Sequence, residues 1–240
     1  VKSVGGVILG VLAATLGALI LLLVLALSNG AIGRALLGMV PGLTVSDFQG
    51  RLGGHWQARQ LVWEGGATRV TVDDPDFAWR PRCLFGLQLC IDTLVASRVA
   101  IEQAPSAEPA PAASGPIRLP TLGLPLRLQL GEVRLGEIRY NGAEQARDLQ
   151  LRARWQADGI AIERLAGAAY GLTLDTQGHL QPSGDWPLQL SGTLGLPAPE
   201  QAPWSLKLNI DGELQRTLHL AADSSGYLPG RLTGTVQPLV

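Results

Sequence analysis

Residues 204–214 read WSLKLNIDGEL. Trp204, Leu206, Leu208, Ile210, Gly212 and Leu214 alternate with Ser205, Lys207, Asn209, Asp211 and Glu213. An alternation of this kind is a strand with one apolar and one wet face, because successive side chains of a strand point to opposite sides. The same period runs outward in both directions. Leu188, Leu190, Gly192, Leu194 and Leu196 alternate with Gln189, Ser191, Thr193 and Gly195, and Leu218 and Leu220 alternate with Thr217 and His219. Upstream, Tyr170, Leu172 and Leu174 face Gly171, Thr173 and Asp175, while Leu149, Leu151, Ala153 and Trp155 face Gln150, Arg152, Arg154 and Gln156. Leu126, Leu128 and Leu130 alternate with Arg127 and Gln129. Asn141-Gly142, Asp158-Gly159, Pro182–Asp185, Pro197–Pro203 and Ser224–Gly226 punctuate these runs as turns. Strands joined by short turns predict an antiparallel meander. Gly136 sits where the apolar phase shifts from Val133 and Leu135 to Ile138 and Tyr140, which reads as a bulge.

No convincing amphipathic helix follows Pro41, so the apolar face of the sheet needs another cover. A closed barrel, a second packed sheet, or a trough filled from outside would each supply it. Closed forms are the commoner solution. The face is nevertheless dominated by Leu in a chain with only 5% aromatic residues, a smooth lining suited to acyl chains. The residues alone leave these alternatives open.

Ahead of this region the pattern changes. Strand signals run through Leu43–Gln49, Trp56–Trp63, Thr68–Val72, Phe77–Trp79, Leu87–Ile91 and Leu94–Ile101, with Glu64–Ala67 as a hairpin loop. Residues 103–116, QAPSAEPAPAASGP, hold no large apolar side chain and read as a flexible linker. The expected organisation is a membrane anchor over 1–28, a connector over 29–42, a first β block over 43–102, the linker, and a repeated-strand block over 117–240. The anchor is the twenty-four-residue uncharged stretch Val4–Leu27. As a helix it would measure about 36 Å against a hydrocarbon core of about 30 Å. A cleaved signal peptide is the alternative, with Ala26-Leu27-Ser28 as its small-x-small site, but the apolar run exceeds the usual signal core. Lys2 precedes the stretch and Arg34 and Arg51 follow it, which decides no orientation.

The net charge is −1, with no basic patch for nucleic acid. Cys83 and Cys90, with six residues between them, cannot complete a zinc site without a nearby His, and the spacing excludes a C-x-x-C redox pair. A short-loop disulfide fits best, with two buried free thiols as the alternative. A disulfide would place the chain in an oxidising compartment, the periplasm for a bacterial membrane-anchored protein. His55, His179 and His219 are scattered, and the Asp73, Asp74, Asp76 cluster reads as a solvated turn because it lacks the rest of a calcium loop. Nucleophile-elbow, zinc-protease and phosphate-loop motifs are absent, so neither an enzyme nor a bound cofactor or metal is expected.

Four local segments resemble a known family. The first is the N-terminal apolar stretch. The second is Val40-Pro41-Gly42-Leu43-Thr44-Val45 running into Gly50-Arg51-Leu52. The third and most specific is Cys83–Leu94, CLFGLQLCIDTL, and the fourth is Ser114-Gly115-Pro116-Ile117-Arg118-Leu119-Pro120. Together they are similar to the N-terminal region of the TamB family, within the wider AsmA-like, bridge-like lipid-transfer group, over about residues 1–130.

The resemblance implies an all-β chain with one N-terminal transmembrane helix, its elongated antiparallel sheet curled into an apolar groove. It implies a single-pass protein of the bacterial inner membrane with most of the chain periplasmic, moving phospholipids between inner and outer membranes. It also implies the outer-membrane barrel protein TamA as partner, through a C-terminal part absent from this sequence. The alternative is an assembly factor for outer-membrane proteins that acts by strand pairing. Val240 falls in mid-pattern, so the chain is expected to be an N-terminal fragment. The groove lining is expected from Leu126, Leu128, Leu130, Leu149, Leu151, Trp155, Leu172, Leu174, Leu188, Leu190, Leu194, Trp204, Leu206, Leu208 and Ile210.

Overall fold

A computed structural model describes residues 29–104, 119–123, 126–199 and 202–239. The expected anchor over 1–28 lies outside the described residues. Among those described, no helix is long and apolar enough to cross a membrane. The chain opens with helix α1 (Gly30–Leu37). Asn29 caps it, its Oδ1 accepting the Ala31 N–H at 2.9 Å.

Fifteen strands follow in one sheet: β1 (Leu43–Ser46), β2 (Gln49–Gly50), β3 (His55–Gln57), β4 (Gln60–Gly65), β5 (Thr68–Asp73), β6 (Asp76–Arg80), β7 (Gln88–Gln103), β8 (Arg127–Tyr140), β9 (Ala143–Gln156), β10 (Gly159–Ala169), β11 (Leu172–Leu180), β12 (Pro187–Gly195), β13 (Trp204–Glu213), β14 (Leu218–Gly226) and β15 (Gly230–Val236). The hydrogen-bonded order is β1-β4-β5-β7-β8 and then strictly sequential to β15, with β6, β3 and β2 branching off the lower half of β7. β1 and β15 do not pair with each other, so the sheet is open. Twisted sheets of this many strands do not stay flat, and this one curls.

The sheet corrects the expectation of a purely antiparallel meander, because β7 and β8 run parallel over their whole length, from Gln88↔Arg127 to Ile101↔Tyr140. Alternation is blind to strand direction, since a parallel and an antiparallel neighbour present the same two faces. A parallel pair does need a long crossover. β7 has sixteen residues and spans about 50 Å. The chain between Ala104 and Leu126, reaching at most about 3.3–3.6 Å per residue, can return along that length. The expected linker over 103–116 begins at the last residue of β7, its residues from 105 onward lie outside the described residues, and the blocks before and after it share one sheet.

Two glycines of β8 fit this seam. A Cβ on Gly131 would lie 2.8 Å from the Asp92 carbonyl oxygen, and one on Gly136 would lie 2.4 Å from that of Ser97. The bulge expected at Gly136 is not there, because the ladder to β9 passes Gly136 without a slip. The β8–β9 register holds from Val133↔Leu151 to Ile138↔Ala146, and across from Gly136 stands Asp148 with φ 54°. Slips fall instead between Leu130 and Val133 and between Ile138 and Arg139 in β8, and between Ile162 and Leu165 in β10. Bulges of this kind bend a strand and raise its twist, which suits a sheet that closes partway around its own face.

The hairpins place two chemically different rims at the strand ends. All three tyrosines of the chain lie at one rim: Tyr140 ends β8, Tyr170 forms the β10–β11 turn and Tyr227 follows β14. Tyr140 Oη donates to Gln103 at 2.9 Å, and the Tyr227 ring packs 5.9 Å from that of Trp204. The opposite rim carries the 3-10 turn Pro81–Gly86 and the Cys83–Cys90 disulfide, with Cα atoms 6.0 Å apart. That bond is the expected short-loop disulfide.

Candidate functional site

Residues directly opposite in neighbouring strands share a face, so the register traces the apolar surface row by row. One row reads Leu89, Leu128, Trp155, Ile160, Leu180, Leu188, Gly212, Leu218 and Val236 from β7 to β15. The next reads Ile91, Leu130, Ala153, Ile162, Gly178, Leu190, Ile210, Leu220 and Gly234. A third reads Leu94, Val133, Leu151, Leu165, Thr176, Gly192, Leu208, Ala222 and Leu232. Nearer the tyrosine rim, Ala96, Leu135 and Leu149 pair in turn, and Leu174, Leu194, Leu206, Ser224 and Gly230 continue beyond Gly167. None of these positions is charged. The other face is polar: Gln129, Arg154, Ala161, His179, Gln189, Asp211, His219 and Thr235 form one row, and Asp175, Thr193, Lys207, Asp223 and Arg231 another.

Twelve of the fifteen expected lining residues fall in these rows. Leu172 pairs with Ala169 at the tyrosine end, and Trp204 pairs with Gly226. Leu126 stands in a bend just before β8 and borders a cleft of about 440 Å³ with Leu87, Leu122, Trp155 and Pro182. The rows also hold residues missing from that expectation. β10 contributes Ile160, Ile162 and Leu165, hidden in the sequence because Glu163 and Arg164 break the alternation at its bulge. β7 and β8 contribute Leu89, Ile91, Leu94, Val133 and Leu135. Leu218 and Leu220 were visible in the β14 alternation itself.

Nothing in the described residues covers the face as a second layer, since the substantial contacts between strands are those between hydrogen-bonded neighbours. Most row members are accordingly half-buried. Near the disulfide rim Pro182, Trp186, Leu188 and Leu218 are buried. The Leu122 N–H donates to the Pro182 carbonyl at 2.9 Å there, and Gln215 Nε2 donates to the Leu119 carbonyl at 3.2 Å. Residues 119–123 thus run along this rim. Trp186 Nε1 is buried without a hydrogen-bond partner among the described residues.

Charge stays on the wet face and the rims, mostly as exposed pairs such as Arg164–Asp175 at 2.8 Å and Arg231–Asp223 at 2.6 Å. The Asp223 carboxylate, hydrogen-bonded to Arg231, raises the guanidinium pKa above its ordinary value. The three clustered aspartates each have a separate partner: Asp73 accepts from Gln60, Asp74 from Ser97, and Asp76 contacts His55 at 2.8 Å. No group of metal-ligating side chains is found among the described residues.

The chain is thus an open, curled single sheet whose facing rows from β7 to β15 carry no charge. Its sequence matches the family described as TamB, N-terminal domain, over residues 15–121 and 102–240, and the chain belongs to that family. Neither a curated protein nor a solved structure matches it.

Proposed function

We propose that this chain is an inner-membrane-anchored periplasmic groove that carries phospholipids toward the outer membrane, without catalysis. The observation that carries this reading is the set of rows running unbroken by charge from β7 to β15. Moving a phospholipid through water exposes two acyl chains. At about 0.8 kcal/mol per CH₂, two sixteen-carbon chains cost on the order of 25 kcal/mol. A surface that replaces water by Leu side chains at every strand removes most of that cost, and its continuity matters more than any one residue. Family membership supports a role in TamB-type transport, and the barrel protein TamA would be reached through a part of such a protein beyond these residues.

The test substitutes one residue on each face of β13. Leu208→Arg puts a guanidinium into the third row, between Gly192 and Ala222. Lys207→Glu reverses a charge on the wet face. With a photoreactive residue at Leu206 in cells, the wild type and Lys207→Glu yield phospholipid adducts, whereas Leu208→Arg loses them. Loss in Lys207→Glu with retention in Leu208→Arg would reverse the face assignment. Absence of adducts in a folded wild type would turn attention to strand addition at a sheet edge, where a proline should then abolish activity.

A further inference from the structure

Phe85 is 94% exposed, the most exposed of the large apolar side chains among the described residues. It projects from the Pro81–Gly86 turn at the disulfide rim, and its neighbours Leu84 and Leu87 are 40% and 64% exposed. Leu122, 44% exposed, stands across the cleft that Leu87 and Leu126 also line. A water-facing surface scatters its large apolar residues, and a gathered set marks a contact. The disulfide from Cys83 to Cys90 ties the turn to the start of β7 and holds the set in place.

The surrounding charge narrows the partner. Arg80 directly precedes the turn, Arg82 stands exposed to solvent within it, and Arg127 reaches its last residue. Arg80 contacts Asp92 at 2.9 Å, and Arg127 donates to the Gly86 carbonyl at 3.0 Å. Exposed apolar side chains beside guanidinium groups complement an anionic bilayer, where rings and leucines enter the acyl boundary and cations remain at the phosphates.

Position points the same way. The uncharged stretch Val4–Leu27 leads directly to α1. The first residue of α1, Gly30, lies against β2, where a Cβ would come 2.5 Å from the Gly50 carbonyl oxygen. Gly50 pairs with Trp56 and Trp56 with Phe77, so β6, which leads into the tip, is two strand spacings away, about 10 Å.

We infer that Leu84, Phe85 and Leu87 form a membrane-contact tip that seats the N-terminal part of the sheet on an anionic phospholipid surface. Its lipid contact does not depend on the conduit. If the conduit reading also holds, the adjoining cleft, walled by Leu126 and Trp155, is where an acyl chain leaves the bilayer for the first apolar row.

The test uses the whole 240-residue chain in vesicles of phosphatidylethanolamine and phosphatidylglycerol. p-Benzoyl-phenylalanine replaces Phe85, Lys207 or Leu208 in separate samples. Irradiation is expected to give phospholipid adducts at position 85 and none at position 207. Arg82→Gln should lower the yield at position 85 by about fivefold, one basic residue's share of attraction to an anionic surface. The inference is overturned if position 85 gives no more lipid adduct than position 207, or crosslinks to a second copy of the chain. Position 208 separates the two readings. Adducts at 208 without 85 keep the conduit and remove the tip, and adducts at 85 without 208 do the reverse.

Discussion

The two ends of this sheet treat apolar surface differently. Around β2, β3 and β6 the chain covers its own. Phe48 is 3% exposed and packs 5.9 Å from Trp56, whose ring lies 5.6 Å from Phe77, while Gly33 brings α1 against Leu52 and Phe48. From β8 to β15 the lining is mostly Leu, Ile, Ala and Gly, with Trp155 the one aromatic side chain in the rows, and it is left half-covered. The first region gains stability from interdigitated aromatic shapes. The second gives up part of that stability to keep a face available, and relies on long backbone ladders to stay folded. Period two is common to both, so the difference lies in what meets the apolar face.

The sharpest way to break this comparison is a matched pair of truncations. Phe48→Ala should cost about 3–5 kcal/mol, as expected for a large side chain removed from a packed site. Leu208→Ala should cost about 1–2 kcal/mol, because a half-covered leucine has less transfer energy to lose. Urea midpoints of the two variants measure this, and equal losses would mean that both regions are packed alike. Next in size is the disulfide. Replacing both cysteines by serine should cost about 2.5 kcal/mol for so short a closed loop, with hydrogen exchange rising around Pro81–Ile91 and little change beyond β10. Gly136→Ala should follow at about 1–3 kcal/mol, since the added Cβ meets the β7 backbone. A neutral result there would show that the parallel seam has room to shift. The smallest effect belongs to the exposed pairs: Arg216→Ala, which loses contacts to Asp185 and Glu213, should change stability by about 0–1 kcal/mol.

The strands β11 to β14 and the second half of β9 are legible because their alternation is regular and most of their turns carry Gly, Pro, Asn or Asp, Leu214–Thr217 being the exception. The alternation divides β7 into two expected strands at Asp92-Thr93, although the ladder to β8 runs on through that place. β10 was missed for the same reason at Glu163-Arg164. The parallel seam has no signature in either strand, and only the length of the intervening segment hinted at it. Of the lining, the sequence revealed members on regular strands and concealed those beside bulges. Leu126 was read one step too far into the pattern, for a strand that begins only at Arg127.

The parallel seam also decides which ends of the hairpins face which way. A tight turn after β7 would have left the β8–β9 connection at the disulfide end. Because the chain instead returns before starting β8, the connections β8–β9, β10–β11 and β14–β15 all fall on the side of the β4–β5 turn, and Tyr140, Tyr170 and Tyr227 stand together on it. The curled sheet thus has two unlike rims. One is lined by amphipathic phenols at intervals of two or four strands, about 10–20 Å, and the other by a cross-linked loop and the returning chain. A molecule lying along the curled sheet would meet a different chemistry to its left and its right at every strand, and so would have one preferred way to face.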